Sequence, residues 1–367
     1  MSQVDILSGA AVFWECLRKD LQDAKSRALV QLMTFEGDTV GQQLGDSIAQ
    51  CTAVDRRVLI DRYTRFFLSD RFVYSPQFIF DKSLGAELRD TKRMIAAMKS
   101  SGVVVRWSNP VGPFFWRLPL RNHKKLILVD DIVYVGGINF SDHNFAWPDL
   151  MVRIQDENIS AFFAADFDAT FRGNPVNSAA TFGEIDTHCL NGQNNPTEFR
   201  PLLQKIETAQ KSIWVVSPYL TFPFTDALAQ ARRNGTRVRI LAPAANNKPI
   251  VGRTLLWEAK RSDFEVLAVP GMHHFKCLLI DERELVLGSS NFDFISFLAQ
   301  EECVVSFRSL EVIAEFLDLV IRPLEQRSTI AVLPPRSIDI LSVDNIALRI
   351  AAGYTRLCRR AGRKAVD

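Results

Sequence analysis

The sequence predicts an α/β fold that is internally duplicated, with two mostly parallel sheets flanked by helices and meeting at a pseudo-twofold interface. Three observations carry that expectation. His, one residue, Lys, four residues and Asp occur twice in this order, as His123, Lys125, Asp130 and as His274, Lys276, Asp281. Each copy is followed by a small-residue turn ending in asparagine, Gly136-Gly137-Ile138-Asn139 and Gly288-Ser289-Ser290-Asn291. Around each copy, short branched-apolar runs alternate with amphipathic ones, the element order of a mostly parallel sheet.

In the first half, residues 8–26 place Val12, Phe13, Cys16, Leu17 and Leu21 on one side of a helix. A strand is expected over 28–35, then a turn at Glu36-Gly37-Asp38 with Asp38 capping a helix over 39–52. Glu36 reads as a solvated turn carboxylate rather than a cleft residue. Residues 57–61 form the next strand, which Asp61 closes at the end where α/β sites form. An aromatic, arginine-bearing segment over 63–81 leads to a helix over 84–100 and a strand over 103–107. A turn with bulky apolar residues, Asn109 to Trp116, precedes the first signature.

Residues 173–197, rich in Gly, Asn and Pro, break the rhythm and are the expected linker. The second half then restarts: helix near 199–211, strand over 213–216, helix over 224–234 closed by Gly235, strand over 236–241. Lys248 and Arg253 follow, either at a substrate headgroup or in solvent. Residues 307–320 read as an amphipathic helix. The chain thus divides into residues 1–172, the linker, residues 198–325 and a basic extension over 326–367. Pro334 and Pro335 interrupt that extension. The spacing of Arg349, Arg356, Arg359, Arg360, Arg363 and Lys364 allows a basic amphipathic helix over 343–361. Such a helix suits an anionic membrane surface; a basic terminus packed on the domain is the alternative.

The 47% hydrophobic and 23% charged residues exclude a disordered chain. A net charge of +2 calls for no polyanion-binding surface, yet leaves room for a local basic cleft. The six cysteines, Cys16, Cys51, Cys189, Cys277, Cys303 and Cys358, form no close pair, so neither a disulfide framework nor a zinc site is expected. No basic-then-apolar leader opens the chain, and no apolar run reaches the roughly 18 residues of a membrane span. A monomer is expected, cytoplasmic or peripheral on the inner face of the cytoplasmic membrane.

Residues i and i+2 of a strand share a face, so His123 and Lys125 can point together, as can His274 and Lys276. Joined at a twofold interface, the copies gather two imidazoles, two ammonium groups and the amides of Asn139 and Asn291. That set suits phosphoryl transfer. One imidazole attacks phosphorus, the other protonates the leaving oxygen and then activates the acceptor. The lysines and asparagines hold the non-bridging oxygens. A carboxylate behind each ring would fix its tautomer, and Asp149 and Glu302 are the candidates. The lysines supply positive charge, so no metal and no cofactor is expected. Phe140, Trp147, Phe292 and Tyr219 are candidate substrate contacts, because an apolar rim fits an acyl chain. His273, next to His274, would point away from it and pack behind. His143 is a possible cleft residue, and His188 has no supporting pattern.

This constellation resembles the phospholipase D superfamily, more closely its bacterial cardiolipin synthase-like branch, over about residues 25–325. Besides the two signatures, Trp147-Pro148-Asp149 is similar to the family's Trp-x-Asp stretch. Asn291-Phe292-Asp293 with Ser296 and Glu302 is similar to its second-half counterpart, and Ser217-Pro218-Tyr219 followed by Pro223 to a strand-end signature. The resemblance implies a phospholipase D-like fold in which Asp130, Asp281, Gly136, Gly137, Gly288 and Ser289 support the site. It implies a phosphohistidine formed with a phosphodiester and resolved by water or an alcohol, His123 being the nucleophile and His274 the acid/base. The expected substrate is a glycerophospholipid. A nuclease acting on DNA or RNA, or a non-catalytic membrane-binding protein, are the alternatives. Ile295 before Ser296 and Gln300 two residues before Glu302 depart from the branch, which leaves the acceptor open.

Overall fold

The computed structural model describes residues 2–78, 80–331 and 338–360. Pro334, Pro335, Ala361, Arg363 and Lys364 of the expected tail pattern lie outside the described residues. Two mixed sheets dominate the architecture. In the first, the strands run in the order Gln3–Ser8, Leu150–Gln155, Ile132–Gly136, Leu126–Val129, Arg27–Leu32, Asp55–Asp61 and Val104–Ser108. In the second they run Ser178–Phe182, Ile185–Asn191, Glu301–Phe307, Glu284–Gly288, Cys277–Ile280, Ser212–Val216, Arg237–Pro243, Glu265–Val269 and Thr329–Ile330. From Leu150–Gln155 to Val104–Ser108, and from Glu301–Phe307 to Glu265–Val269, the two orders repeat strand for strand. The duplication expected from the paired signatures is present.

The expectation of mostly parallel sheets is corrected. Only Arg27–Leu32 with Asp55–Asp61 and Asp55–Asp61 with Val104–Ser108 pair in parallel in the first sheet. Only their counterparts, centred on Arg237–Pro243, do so in the second. The helices Thr39–Gln50 and Lys82–Ser100 supply the crossovers that parallel pairing needs. Each signature strand instead turns back within a few residues, Leu126–Val129 into Ile132–Gly136 and Cys277–Ile280 into Glu284–Gly288. A strand that returns so soon can only lie antiparallel. Periodicity marks strands without marking their direction, so the short connections were the better signal.

Those hairpins explain the aspartates of the two signatures. Asp130 and Asp281 sit at the turns with φ of 52° and 54°. Their carboxylates accept backbone N–H bonds from Lys25, Ser26 and Arg27, and from Gln210, Lys211 and Ser212. Burial works against the Asp130 carboxylate, but bonds led by the Ser26 hydroxyl hold it down at about 2. Each aspartate thus ties its hairpin to the start of the adjacent strand, at the opposite end of the signature strand from the histidine.

Along the signature strands the side chains alternate. Leu126, Leu128, Cys277 and Leu279 enter a central core shared by both sheets, which the helix Glu157–Phe171 fills with Phe163, Phe167 and Phe171. Ile127 and Val129 face the outer core of the first half, Leu278 and Ile280 that of the second. With both faces covered, all eight positions of the two strands are buried. At roughly 1.5–3 kcal/mol for each fully buried large apolar side chain, these strands anchor the site they carry.

Other expectations are adjusted. The helix Ala10–Asp23 buries Phe13, Leu17 and Leu21 but leaves Val12 exposed, and the preceding strand Gln3–Ser8 was not anticipated. Within the expected linker, residues 178–191 form a hairpin that adds two strands to the second sheet. Asn and Gly content signals turns, and here it marks the ends of the hairpin rather than an unstructured joint. Phe307 ends a strand, and the following helix starts at Leu310. A final helix, Ile338–Arg360, packs on Phe294–Ala299 and Pro249–Ser262.

Candidate active site

The two halves meet where the signatures begin. The His123 N–H donates to the Glu301 carbonyl (2.9 Å), and the His274 N–H donates to the Pro148 carbonyl (2.8 Å). Each histidine is therefore fastened to the residue just before the carboxylate of the opposite half. The side chains follow. Nδ1 of His123 lies 3.0 Å from Glu302, and Nδ1 of His274 lies 2.9 Å from Asp149. The orienting carboxylate of each ring thus comes from the other half, a pairing that the sequence pattern left open. With Nδ1–H donated to a carboxylate, Nε2 carries the lone pair of each ring, and that of His274 lies 3.1 Å from Lys276 Nζ.

The two carboxylates are held differently. Glu302 also accepts from the hydroxyls of Ser289 (2.5 Å) and Ser296 (2.7 Å). Burial raises its pKa, but His123, Lys125 and Ser289 outweigh that and keep it below the ordinary value. At the position equivalent to Ser289 the first half has Gly137, where a Cβ would stand 2.4 Å from the Asp149 carboxylate. Gly137 is needed because Asp149 occupies the space a side chain would fill. Gly136 and Gly288 lie against the backbone of the neighbouring strands, with room for no Cβ.

Lys125 and Lys276 are buried, and each Nζ donates to the carbonyl of its own signature histidine, at 2.8 and 2.6 Å. Lys276 Nζ also lies 3.8 Å from Asp149. Burial and the nearby charge of Lys276 pull Lys125 down to about 7. Burial likewise lowers His123 to about 4, with Glu302 opposing. It lowers His274 to about 4, Lys276 adding to the effect and Asp149 opposing it. Desolvated cations crowded this closely favour an anion between them, which would raise all four groups toward their charged forms.

Both histidines, Asn139 and Asn291 line one cleft of about 490 Å³. Trp147 and Tyr219 line it too, their rings 5.7 and 5.9 Å from that of His274. Phe140 and Phe292 do not belong to it. They follow the asparagines by one residue, so they point the opposite way and pack into the cores of their halves. His143 and Lys248 line the cleft, whereas Arg253 pairs with Asp344 and His188 lies elsewhere, in a cavity beside Phe199. His273 is buried behind the site, as expected. Ile295 and Gln300, the two departures from the branch pattern, both line the cleft.

The Glu36 reading is corrected: its side chain is 1% exposed and lines the cleft. Burial and the adjoining Glu87 carboxyl raise it well above the ordinary carboxylate range. Sequence reasoning also missed two buried ion pairs. Arg121 meets Asp61 at 2.8 Å, and Lys124, between the signature His and Lys, meets Asp166 at 2.7 Å. Signals for both exist in the sequence. Arg121 precedes His123 by two residues, hence shares its side, and Asp166 is a lone carboxylate among Phe162, Phe163, Ala164, Ala165 and Phe167.

The sequence matches the family described as "Cardiolipin synthase, PLD-like domain" over residues 17–171 and 202–321. It is 29% identical over 233 residues to the minor cardiolipin synthase ClsB of Bacillus subtilis, covering 58% of each chain. To cardiolipin synthase A of Pseudomonas putida it is 26% identical over 344 residues, covering 87% of this chain and 67% of that protein. The chain thus spans about three fifths to two thirds of the length of these curated relatives. Among solved structures, phosphatidylserine synthase of Haemophilus influenzae superposes with a TM-score of 0.70 at 14% identity, covering 97% of this chain and 93% of that one. Polyphosphate kinase of Porphyromonas gingivalis does so with 0.58 at 11% identity, covering 96% and 56%. Likeness at such identities shows the fold alone.

Proposed function

We propose, since the chain belongs to the cardiolipin synthase, phospholipase D-like domain family, that its cleft transfers the phosphatidyl group of a glycerophospholipid to an alcohol or to water. One observation carries this reading: two imidazoles in one cleft, each with Nδ1 held by a carboxylate of the opposite half. Nε2 of His123 attacks phosphorus while the ester bond to the headgroup oxygen breaks. His274, protonated under the influence of the bound phosphodiester, gives its proton to that oxygen. It then takes the proton of the acceptor hydroxyl, whose oxygen attacks phosphorus as the P–N bond breaks. Lys125, Lys276, Asn139 and Asn291 stabilise the non-bridging oxygens. Met33, Leu118, Ile250, Val251 and Phe294 in the same cleft suit acyl chains better than a nucleic-acid backbone.

The experiment is mass spectrometry of products from phosphatidylglycerol vesicles, with and without added glycerol. Cardiolipin with released glycerol identifies transfer between phospholipids, and phosphatidic acid identifies hydrolysis. No lipid product from this or other phospholipid donors, with cleavage of DNA or RNA instead, would overturn the lipid reading.

A second result tests the carboxylates. Asp149→Asn and Glu302→Gln are each expected to lower kcat about 10–100-fold, less than loss of a histidine, since they orient rings without touching phosphorus. Each carboxylate raises the pKa of its imidazole, so its removal lowers that pKa further. The imidazolium then forms only at lower pH, and the pH optimum moves in the acid direction. A profile that stays in place, or moves toward alkali, would count against the orienting roles.

A further inference from the structure

We propose that the outward face of the C-terminal helix Ile338–Arg360, together with Phe114, seats the protein on an anionic phospholipid bilayer with the cleft opening toward the lipid. The helix has two unlike faces. Inward, Asp344, Leu348, Ala352, Thr355 and Cys358 are buried, and Leu348 and Ala351 form part of the cleft wall. This side is firmly held. Arg253 grips Asp344 at 2.7 and 3.0 Å, and the Tyr354 hydroxyl donates to the Trp116 carbonyl at 2.8 Å.

Outward, Val343, Ile346, Ile350 and Leu357 form a stripe at helical spacing, each 58–68% exposed. Arg349, Arg356 and Arg360 are exposed beside it, and residues 345–360 contain no acidic side chain. An apolar stripe flanked by cations alone is the pattern of a helix lying in a membrane interface.

Phe114 is an independent observation. Its side chain is fully exposed, on a loop where Phe114 and Phe115 have φ of 50° and 58°. Holding two such residues in the left-handed region costs free energy, and neither is glycine. The same loop continues through Trp116, which contacts the helix, to Leu118 and Pro119, which line the cleft. The loop that carries Phe114, the inner side of the helix and the cleft wall therefore form one continuous unit. Charge also selects the occupant. A second copy docked face to face would set arginine against arginine, whereas anionic headgroups neutralise them.

This inference rests on the lipid reading of the cleft, and the experiment separates the two. The full-length protein is floated with vesicles of equal parts phosphatidylcholine and phosphatidylglycerol, or of phosphatidylcholine alone. The variants are I346E/I350E/L357E and, as a control, V54E. Val54 is 90% exposed, before the strand Asp55–Asp61 and at the end remote from the cleft. Wild type and V54E are expected to bind the anionic vesicles about tenfold or more tightly than the neutral ones, and the triple variant to lose that binding. Turnover of a short-chain phospholipid dispersed as monomers should stay at the wild-type level in the triple variant, while turnover on vesicles falls.

Equal vesicle binding by wild type and triple variant would overturn the docking face and leave the chemistry standing. Binding that the triple variant loses, without lipid turnover by wild type, would support the face and sink the lipid reading. A solution dimer that the triple variant dissociates, with no vesicle binding, would assign the face to self-association and overturn the proposal.

Discussion

His123→Ala and His274→Ala each lower turnover of a natural phospholipid by at least about 10³-fold while the protein stays folded. Neither ring holds up the core, since both line the cleft. After loss of His123, Glu302 keeps its bonds from Ser289 and Ser296. Asp149 is left with its own neighbour, the Leu150 N–H, and Lys276 at 3.8 Å. His274→Ala is therefore the more destabilising of the two, measured by thermal unfolding. The roles separate on a phosphatidyl ester with a nitrophenol leaving group, which departs without a proton. His274→Ala should still release nitrophenol and accumulate protein carrying the phosphatidyl group on His123, whereas His123→Ala should do neither. The reverse pattern would exchange the roles, and substantial turnover of natural lipid by both variants would sink the two-histidine mechanism.

Lys124→Met is expected to cost about 3–5 kcal/mol of stability, because it leaves the Asp166 carboxylate buried without a partner. Both side chains of that pair are fully enclosed, and Lys124 reaches both carboxylate oxygens, at 2.8 and 2.7 Å. The double variant Lys124→Met, Asp166→Leu removes both charges and should recover most of the loss. Urea denaturation of the two single variants and the double variant measures the coupling. A Lys124→Met protein within about 0.5 kcal/mol of wild type would mean that the pair contributes no structural coupling. The folded single variant should retain turnover, because Lys124 points into the central core and its counterpart in the second signature is the core residue Phe275. Lys124 thus lies in the central core while its neighbour His123 lines the cleft.

The residues of the candidate site were legible because they recur at short intervals. The i, i+2 spacing of His123 and Lys125, and of His274 and Lys276, follows from strand geometry alone, as do the apolar runs behind them. The small residues before Asn139 and Asn291 were visible as turns. Their reason was not: Gly137 is small because Asp149, twelve residues further along the chain, lies against it where the strands Ile132–Gly136 and Leu150–Gln155 are adjacent. Phe140 and Phe292 were misread for want of the same rule that placed the histidines. A residue next to a cleft asparagine on an extended chain must face the core.

Strand direction, the cross-half pairing of His123 with Glu302 and His274 with Asp149, and the burial of Glu36 were decided only by the tertiary structure. The sequence by itself determined which residue types recur and at what local period, since dihedral geometry acts over a few residues. Pairings across a hundred residues or more depend on how two sheets pack, and that packing is set by the summed burial of both cores rather than by any one stretch.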